Sequence, residues 1–176
     1  MNFICKDYAH ENGKEINLRK LKTNFIEKED YIKAHQNLPI ACHDIFIKYN
    51  NGILLVKRKN FPAKGILWPV GGRIQRGILT EESLKEKVKQ ECNLNIKNIN
   101  SLGLGRHFFE TEPFGHKKGT DTPTIVFFAE GEGELKLDNL HETPEIITKE
   151  KYTEKFKKNL HPYVRDFMDV IIKNFL

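Results

Sequence analysis

The sequence predicts one mixed α/β (α+β) domain, and three observations carry that expectation. Two β-type runs are joined by Asn50-Asn51-Gly52, an amphipathic helical stretch begins near Thr80, and strand-like runs then return before a second amphipathic helix at the C-terminus. A chain of 176 residues fits a single domain that buries enough surface to fold without disulfides or a structural metal. Its 29 Lys+Arg against 24 Asp+Glu give a net charge of +5 with the basic residues spread along the chain. That balance suits an anionic small ligand, whereas nucleic acid would call for a concentrated basic patch. Cys5, Cys42 and Cys92 are odd in number and form no CxxC pair, so they read as reduced thiols of a cytoplasmic protein. The hydrophobic stretch in MNFICKDYAHENGKE is too short for a signal peptide. No apolar run approaches the roughly 20 residues of a membrane span. Neither a nucleic-acid partner nor a membrane is expected.

Residues 1–24 are mixed in charge and weakly apolar and read as an N-terminal extension, with one domain over 25–176. FIEKEDYIKAHQNLP, 25–39, carries Phe25, Tyr31 and Ile32 among charges and predicts a short amphipathic helix stopped by Pro39. Asn-Asn-Gly supplies the positive φ angles of a tight turn, so 40–48 and 53–58 are expected to pair as a hairpin. Asp44 interrupts the first of these strands among Ile and Phe residues. ILWPV is a short strand, and Gly71-Gly72 is a turn at which backbone can approach a ligand closely.

Thr80 is a good N-cap, with Glu81 and Glu82 well placed in the first turn. Leu84, Val88 and Glu91 follow at i, i+4 and i+7, one face of a helix that runs to about Cys92 and closes on a left-handed Asn93. The apolar stripe therefore ends in a carboxylate, which must hold a cation or escape to solvent. Short strands are expected in LNIKNINSLGLGRHFF and TPTIVFFAEGEGELKL, around a polar loop at 109–121 of the kind that covers a site. The tail places Tyr163, Phe167, Val170 and Ile171 at helical spacing.

Strand, Gly-Gly turn and a helix bearing an inward Glu resemble the Nudix box, G-x5-E-x7-R-E-U-x-E-E-x-G-U, with U aliphatic. With its first Gly on Gly72, the box retains Gly72, Val88, Glu91 and Leu94, while Ile78, Glu86, Lys87 and Gln90 stand at its other charged positions. LLVKRKNFPAKGILWPVGGRIQ, 54–75, resembles the GDP-mannose mannosyl hydrolase branch, as do HFF at 107–109, GTD at 119–121, NLH at 159–161 and EDY at 29–31. The resemblance spans about 25–170. It implies the Nudix fold, an α/β/α sandwich around a mixed sheet, and a homodimer, through 25–39 in one arrangement.

The resemblance also implies an unusual reaction: cleavage of the C1–O bond of a nucleotide-sugar, with release of nucleoside diphosphate and free sugar. Carried over residue by residue, the Gly71 carbonyl and Glu91 would hold one Mg2+ or Mn2+ ion. Arg58 and Arg73 would grip the diphosphate, with Arg73 also serving catalysis. Asp44, His107 and Asp121 would contact substrate, and His141, in the loop LHETPEIIT, would be the base. Three departures mark the site. Glu86 stands where the family has Arg, and Leu140 where it presents a Gln ligand. Lys87 lies one helical turn from Glu91 and could pair with it, competing with the metal or standing in for part of its role. The alternative reading is a catalytically impaired Nudix-fold protein that binds or senses a nucleotide-sugar.

Overall fold

The structure, a computed structural model, describes residues 3–22 and 26–176. The expected boundary at 24/25 and Phe25 lie outside these residues. A small antiparallel pair, β1 (His10–Glu11) and β2 (Lys14–Glu15), is followed by a single 3-10 turn, Leu18–Lys20. Helix α1 spans Lys28–Asn37, shorter than the 25–39 expected.

The hairpin forms as the turn chemistry dictates. Strands β3 (Cys42–Tyr49) and β4 (Gly52–Arg58) pair antiparallel, and Asn50 and Asn51 both take positive φ, at 47° and 63°. Short strands β5 (Leu67–Trp68) and β6 (Val70–Arg73) come next, separated by Pro69, which can donate no ladder hydrogen bond. Helix α2, Thr80–Cys92, closes on Asn93 at φ 59°, as expected. Its N-cap is displaced from the expected position: Leu79 holds the cap without a side-chain bond. The Asp7 carboxylate instead accepts from the Thr80 N–H and hydroxyl, each at 2.7 Å. The extension thus supplies the acceptor that Thr80 was expected to be.

Two long strands, β7 (Asn95–Phe109) and β8 (Thr120–Glu132), replace the short ones expected. His141–Ile147, read from sequence as a loop, is strand β9, antiparallel to β4. Its lone hydrophobic pair, Ile146 and Ile147, gives little alternation to detect. Helices α3 (Glu154–Lys157) and α4 (Pro162–Asn174) end the chain. In α4 the buried set is Tyr163, Val164, Met168 and Ile171, and Val170 turns to solvent.

The seven-stranded sheet runs β5-β4-β3-β8-β7, with β6 added to β3 and β9 to β4. Only the β3–β8 pair is parallel, so the sheet is mixed. Alternation along the hairpin divides the core. Ile45, Ile47, Leu54 and Val56 pack with Leu84 and Val88 of α2, while Phe46, Ile53 and Leu55 pack with Val164, Met168 and Ile171 of α4. The result is the sandwich that the family resemblance implies. No described helix is long and apolar enough to cross a membrane.

The Asp7 contact makes a measurable claim about the extension. Asp7→Ala removes a charged acceptor at the positive end of α2, and we expect it to cost about 1 kcal/mol in urea-monitored unfolding. An unchanged midpoint would mean that the extension does not cap the helix in solution.

Candidate active site

The site is assembled around β6, where a glycine is obligatory. A side chain at Gly71 would collide with the Asp44 carboxylate and the backbone of His43 on β3, its neighbour in the ladder. The two adjacent residues of β3 point to opposite faces. His43 Nε2 lies 2.9 Å from Ser83 Oγ of α2, and Asp44 faces α4. Asp44 is buried, and its Oδ2 accepts from Trp68 Nε1 at 3.1 Å and from Tyr163 Oη at 2.8 Å. Burial pushes its carboxyl up from 3.8 to about 6, against the opposing pull of Tyr163, Arg58 and Trp68.

A cavity opens on this side of β6. Its walls include Asp44, Arg58, Trp68, Gly72, Arg73 and His107, with Tyr31 and His35 of α1 at the rim. Arg73 stacks its guanidinium 4.6 Å from the Tyr31 ring centre. One face of α1 is therefore taken by its own domain, where sequence suggested a second copy. Arg58 donates from Nε to the Pro62 carbonyl at 3.0 Å, which fixes it against the loop after β4. His107 is buried among Trp68, Phe109 and Tyr163, and its pKa falls to about 4, chiefly through burial, so it is neutral. Burial pushes the Cys42 thiol, also in the wall, up to about 12, which leaves no thiolate for nucleophilic chemistry.

Asp121 is not brought to this cavity. Along β8 the lining residues are Thr120, Thr122 and Thr124, so the intervening Asp121 does not share their face. It accepts instead from Arg106 on β7, at 2.9 Å from Nε and 2.8 Å from Nη2.

The second part of the site lies toward α2. Glu91, buried, accepts from the Gly71 N–H at 3.3 Å, and its other oxygen is 3.6 Å from Lys87 Nζ. Burial pushes its carboxyl up to about 7. The α2 C-terminus anchors the segment that follows β8, because the Glu91 and Cys92 carbonyls accept from the Asp138 and Lys136 N–H groups. This holds Asp138 against His141: Asp138 Oδ1 lies 2.8 Å from His141 Nδ1 and also accepts from the Leu140 N–H. Sequence reasoning missed Asp138; the Asp-x-x-His spacing was its only signal. The Leu140 side chain is largely exposed. His141 stands opposite Arg58 in the β4–β9 ladder, which joins the two parts. Burial lowers its pKa and Asp138 opposes that, with Arg58 and Lys87 adding to the fall.

Gly71 and Glu91, the expected metal ligands, are thus adjacent. The donor set does not fit a resident ion. Glu91 is engaged by an N–H and an ammonium, and Leu140, at the position where the resemblance expects a further ligand, has no lone pair to offer.

The NUDIX domain family matches residues 42–168. The low-salt glycan biosynthesis protein Agl8 of Haloferax volcanii is 26% identical over 152 residues, covering 85% of this chain and 92% of that protein. An ADP-ribose pyrophosphatase of Methanocaldococcus jannaschii is 35% identical over 100 residues, 56% of this chain and 58% of its own length. Among solved structures, a MutT NUDIX hydrolase from Burkholderia pseudomallei shares the fold, with a TM-score of 0.59 at 17% identity over 80% of this chain and all of that one.

Asp44 gives a pH signature. A folded-state value above the unfolded one means that the fold prefers the protonated acid. That stabilisation is complete below about pH 4 and is lost as pH rises through about 6. Asn at this position keeps an acceptor for Trp68 and Tyr163 but cannot titrate. At about 1.4 kcal/mol per pH unit, Asp44→Asn should gain about 3 kcal/mol relative to the parent between about pH 4 and 6 in urea unfolding. A constant difference across that range would show that Asp44 titrates as an ordinary carboxylate.

Proposed function

This chain belongs to the NUDIX domain family, hydrolases of nucleoside diphosphate derivatives, and from that premise we propose that it hydrolyses nucleotide-sugars of the GDP-mannose type. The products are nucleoside diphosphate and free sugar. The observation that carries this reading is the pairing of His141 with Asp138 opposite Arg58. A carboxylate at Nδ1 holds the tautomer in which Nδ1 carries the proton and Nε2 keeps its lone pair. Burial lowers the pKa of that imidazole, which favours the neutral ring a general base requires.

The reaction follows from these groups. Water gives a proton to His141 Nε2 as its oxygen bonds to sugar C1. The C1–O bond breaks, and its electron pair leaves with the diphosphate. Arg58 and Arg73 hold the charge that develops on that leaving group, a role suited to planar, always-charged donors. Asp44, His107 and the β8 threonines offer the remaining polar contacts of the cavity for base or sugar. The similarity to a glycan biosynthesis protein over most of the chain supports this substrate class, since nucleotide-sugars are the activated donors of glycan assembly.

A second reading rests on the Lys87–Glu91 pair, which leaves the retained box carboxylate already engaged: a protein that binds a nucleotide-sugar without turnover. Incubation of the full chain with a panel of nucleotide-sugars in 18O-water, with and without Mg2+, separates the readings by mass spectrometry. We expect label on the sugar and none on the nucleoside diphosphate. Label on phosphate with release of nucleoside monophosphate would assign attack at phosphorus, and binding without turnover would assign the second reading. His141→Ala should lower kcat by about 10²–10⁴-fold with little change in substrate affinity. Unchanged turnover would remove His141 from the mechanism.

A further inference from the structure

We propose that Lys87 is a built-in cation: its ammonium takes the place of the divalent ion of a NUDIX site, so this chain binds the diphosphate group of its ligand without metal. The proposal rests on the reading that the site takes a nucleoside diphosphate derivative. Mg2+ or Mn2+ is typical of Nudix hydrolases, and an oxygen-rich donor set is what such ions require. This chain has instead put a lysine at one of the box's Glu positions, one turn before the retained Glu91.

The geometry puts the ammonium where the ion would have to be. Lys87 Nζ is 3.6 Å from Glu91 Oε1 and 3.7 Å from the point where a Cβ on Gly72 would lie. The glycine turn, Glu91 and a positive charge are therefore together without any ion. A dication in the same space would meet that ammonium, and Glu91, the carboxylate in contact with it, is already sharing its second oxygen with the Gly71 N–H.

Lys87 is also held without being satisfied. Its side chain is 19% exposed, yet among the described residues its ammonium makes no hydrogen bond, since the Glu91 contact is too long for one. An ammonium carries three donors, and a mostly buried one gains strongly from an anionic acceptor. A diphosphate oxygen is such an acceptor. Gly72, against which the Lys87 ammonium lies, and Arg58 both line the cavity, so the two cations stand at its edge. Glu91 then becomes a positioning residue, one that aims the ammonium.

The test is calorimetric titration of the full chain with GDP-mannose and, separately, inorganic pyrophosphate, each in EDTA and in Mg2+. We expect Lys87-dependent binding in EDTA, with Mg2+ adding less than about two-fold to affinity. Lys87→Glu should weaken binding in EDTA by about ten-fold or more, the worth of a charge-assisted hydrogen bond, and Mg2+ should restore much of it. Lys87→Arg keeps the charge and should bind in EDTA, which separates loss of charge from loss of fold. Binding of the native chain only in Mg2+, or equal binding by Lys87→Glu in EDTA, would overturn the proposal. If pyrophosphate binds in EDTA through Lys87 while no nucleotide-sugar is bound or turned over, the built-in cation stands and the nucleotide-sugar reading fails. If nucleotide-sugar is turned over only with Mg2+, the reverse holds.

Discussion

Asp44 is a carboxylate with almost no water, and the cavity is shaped by what satisfies it. Trp68 comes from β5 and Tyr163 from α4, and both donate to the same oxygen. The β3–β6 ladder brings Gly71 directly against Asp44, at a distance that only a residue without Cβ permits. Two consequences follow from one buried acid. The C-terminal helix is docked against the sheet by a polar bond as well as by Met168 and Ile171. The Gly71–Gly72 strand is also drawn in close enough for its N–H to reach Glu91 on the far side. Hydrogen bonds to a buried ionisable group are worth more than those at the surface, and leaving one unmade costs more. The α4 dock and the glycine strand thus depend on the same carboxylate.

How much of this was legible in the sequence follows the range of the interactions. The Asn50-Asn51 turn, the α2 helix and its left-handed Asn93 are local, set by neighbouring residues, and they form as expected. The structure sets Gly71 beside Glu91, places Arg58, Arg73, Asp44 and His107 in one cavity wall and buries His141, so these residues singled out from the sequence lie near one another, whatever their roles. What escaped needs contacts between distant segments. β9 is a strand because β4 offers a free edge some 85 residues earlier, and its own sequence alternates too weakly to announce it. Asp7 caps a helix more than 70 residues away. Asp121 fails to reach the cavity through a one-residue question of strand face, which the threonines on either side would have answered had the strand been recognised.

Toward α2 the governing term is charge. Two unit charges about 4 Å apart interact by about 4 kcal/mol at the effective dielectric of a partly buried site. An attraction of that order between Lys87 and Glu91, present in full only when Glu91 is ionised, is what a divalent ion would have to displace, while suffering a repulsion about twice as large from the same ammonium. Replacing a box glutamate by lysine therefore changes the sign of the site and does more than weaken a ligand set. A buried ammonium needs a counter-charge as much as a metal does, and Glu91 is placed to supply it.

In the proposed reaction the same two cations act on the base, His141. Burial is the largest cause of His141's lowered pKa, and Arg58 and Lys87 lower it further. In the free protein this favours the neutral imidazole, the form that can accept a proton. On the proposed reading, a diphosphate bound beside Arg58 and Lys87 would bring negative charge that offsets theirs, so the imidazolium formed during water attack would be less opposed than in the empty site. Asp138 works in the same direction at all times, holding Nδ1 and favouring the protonated ring. On that reading the unprotonated base is favoured before the ligand arrives, and its proton affinity would rise as the ligand fills the site. The leaving group's own charge would supply that coupling, acting across one strand pair, Arg58 opposite His141.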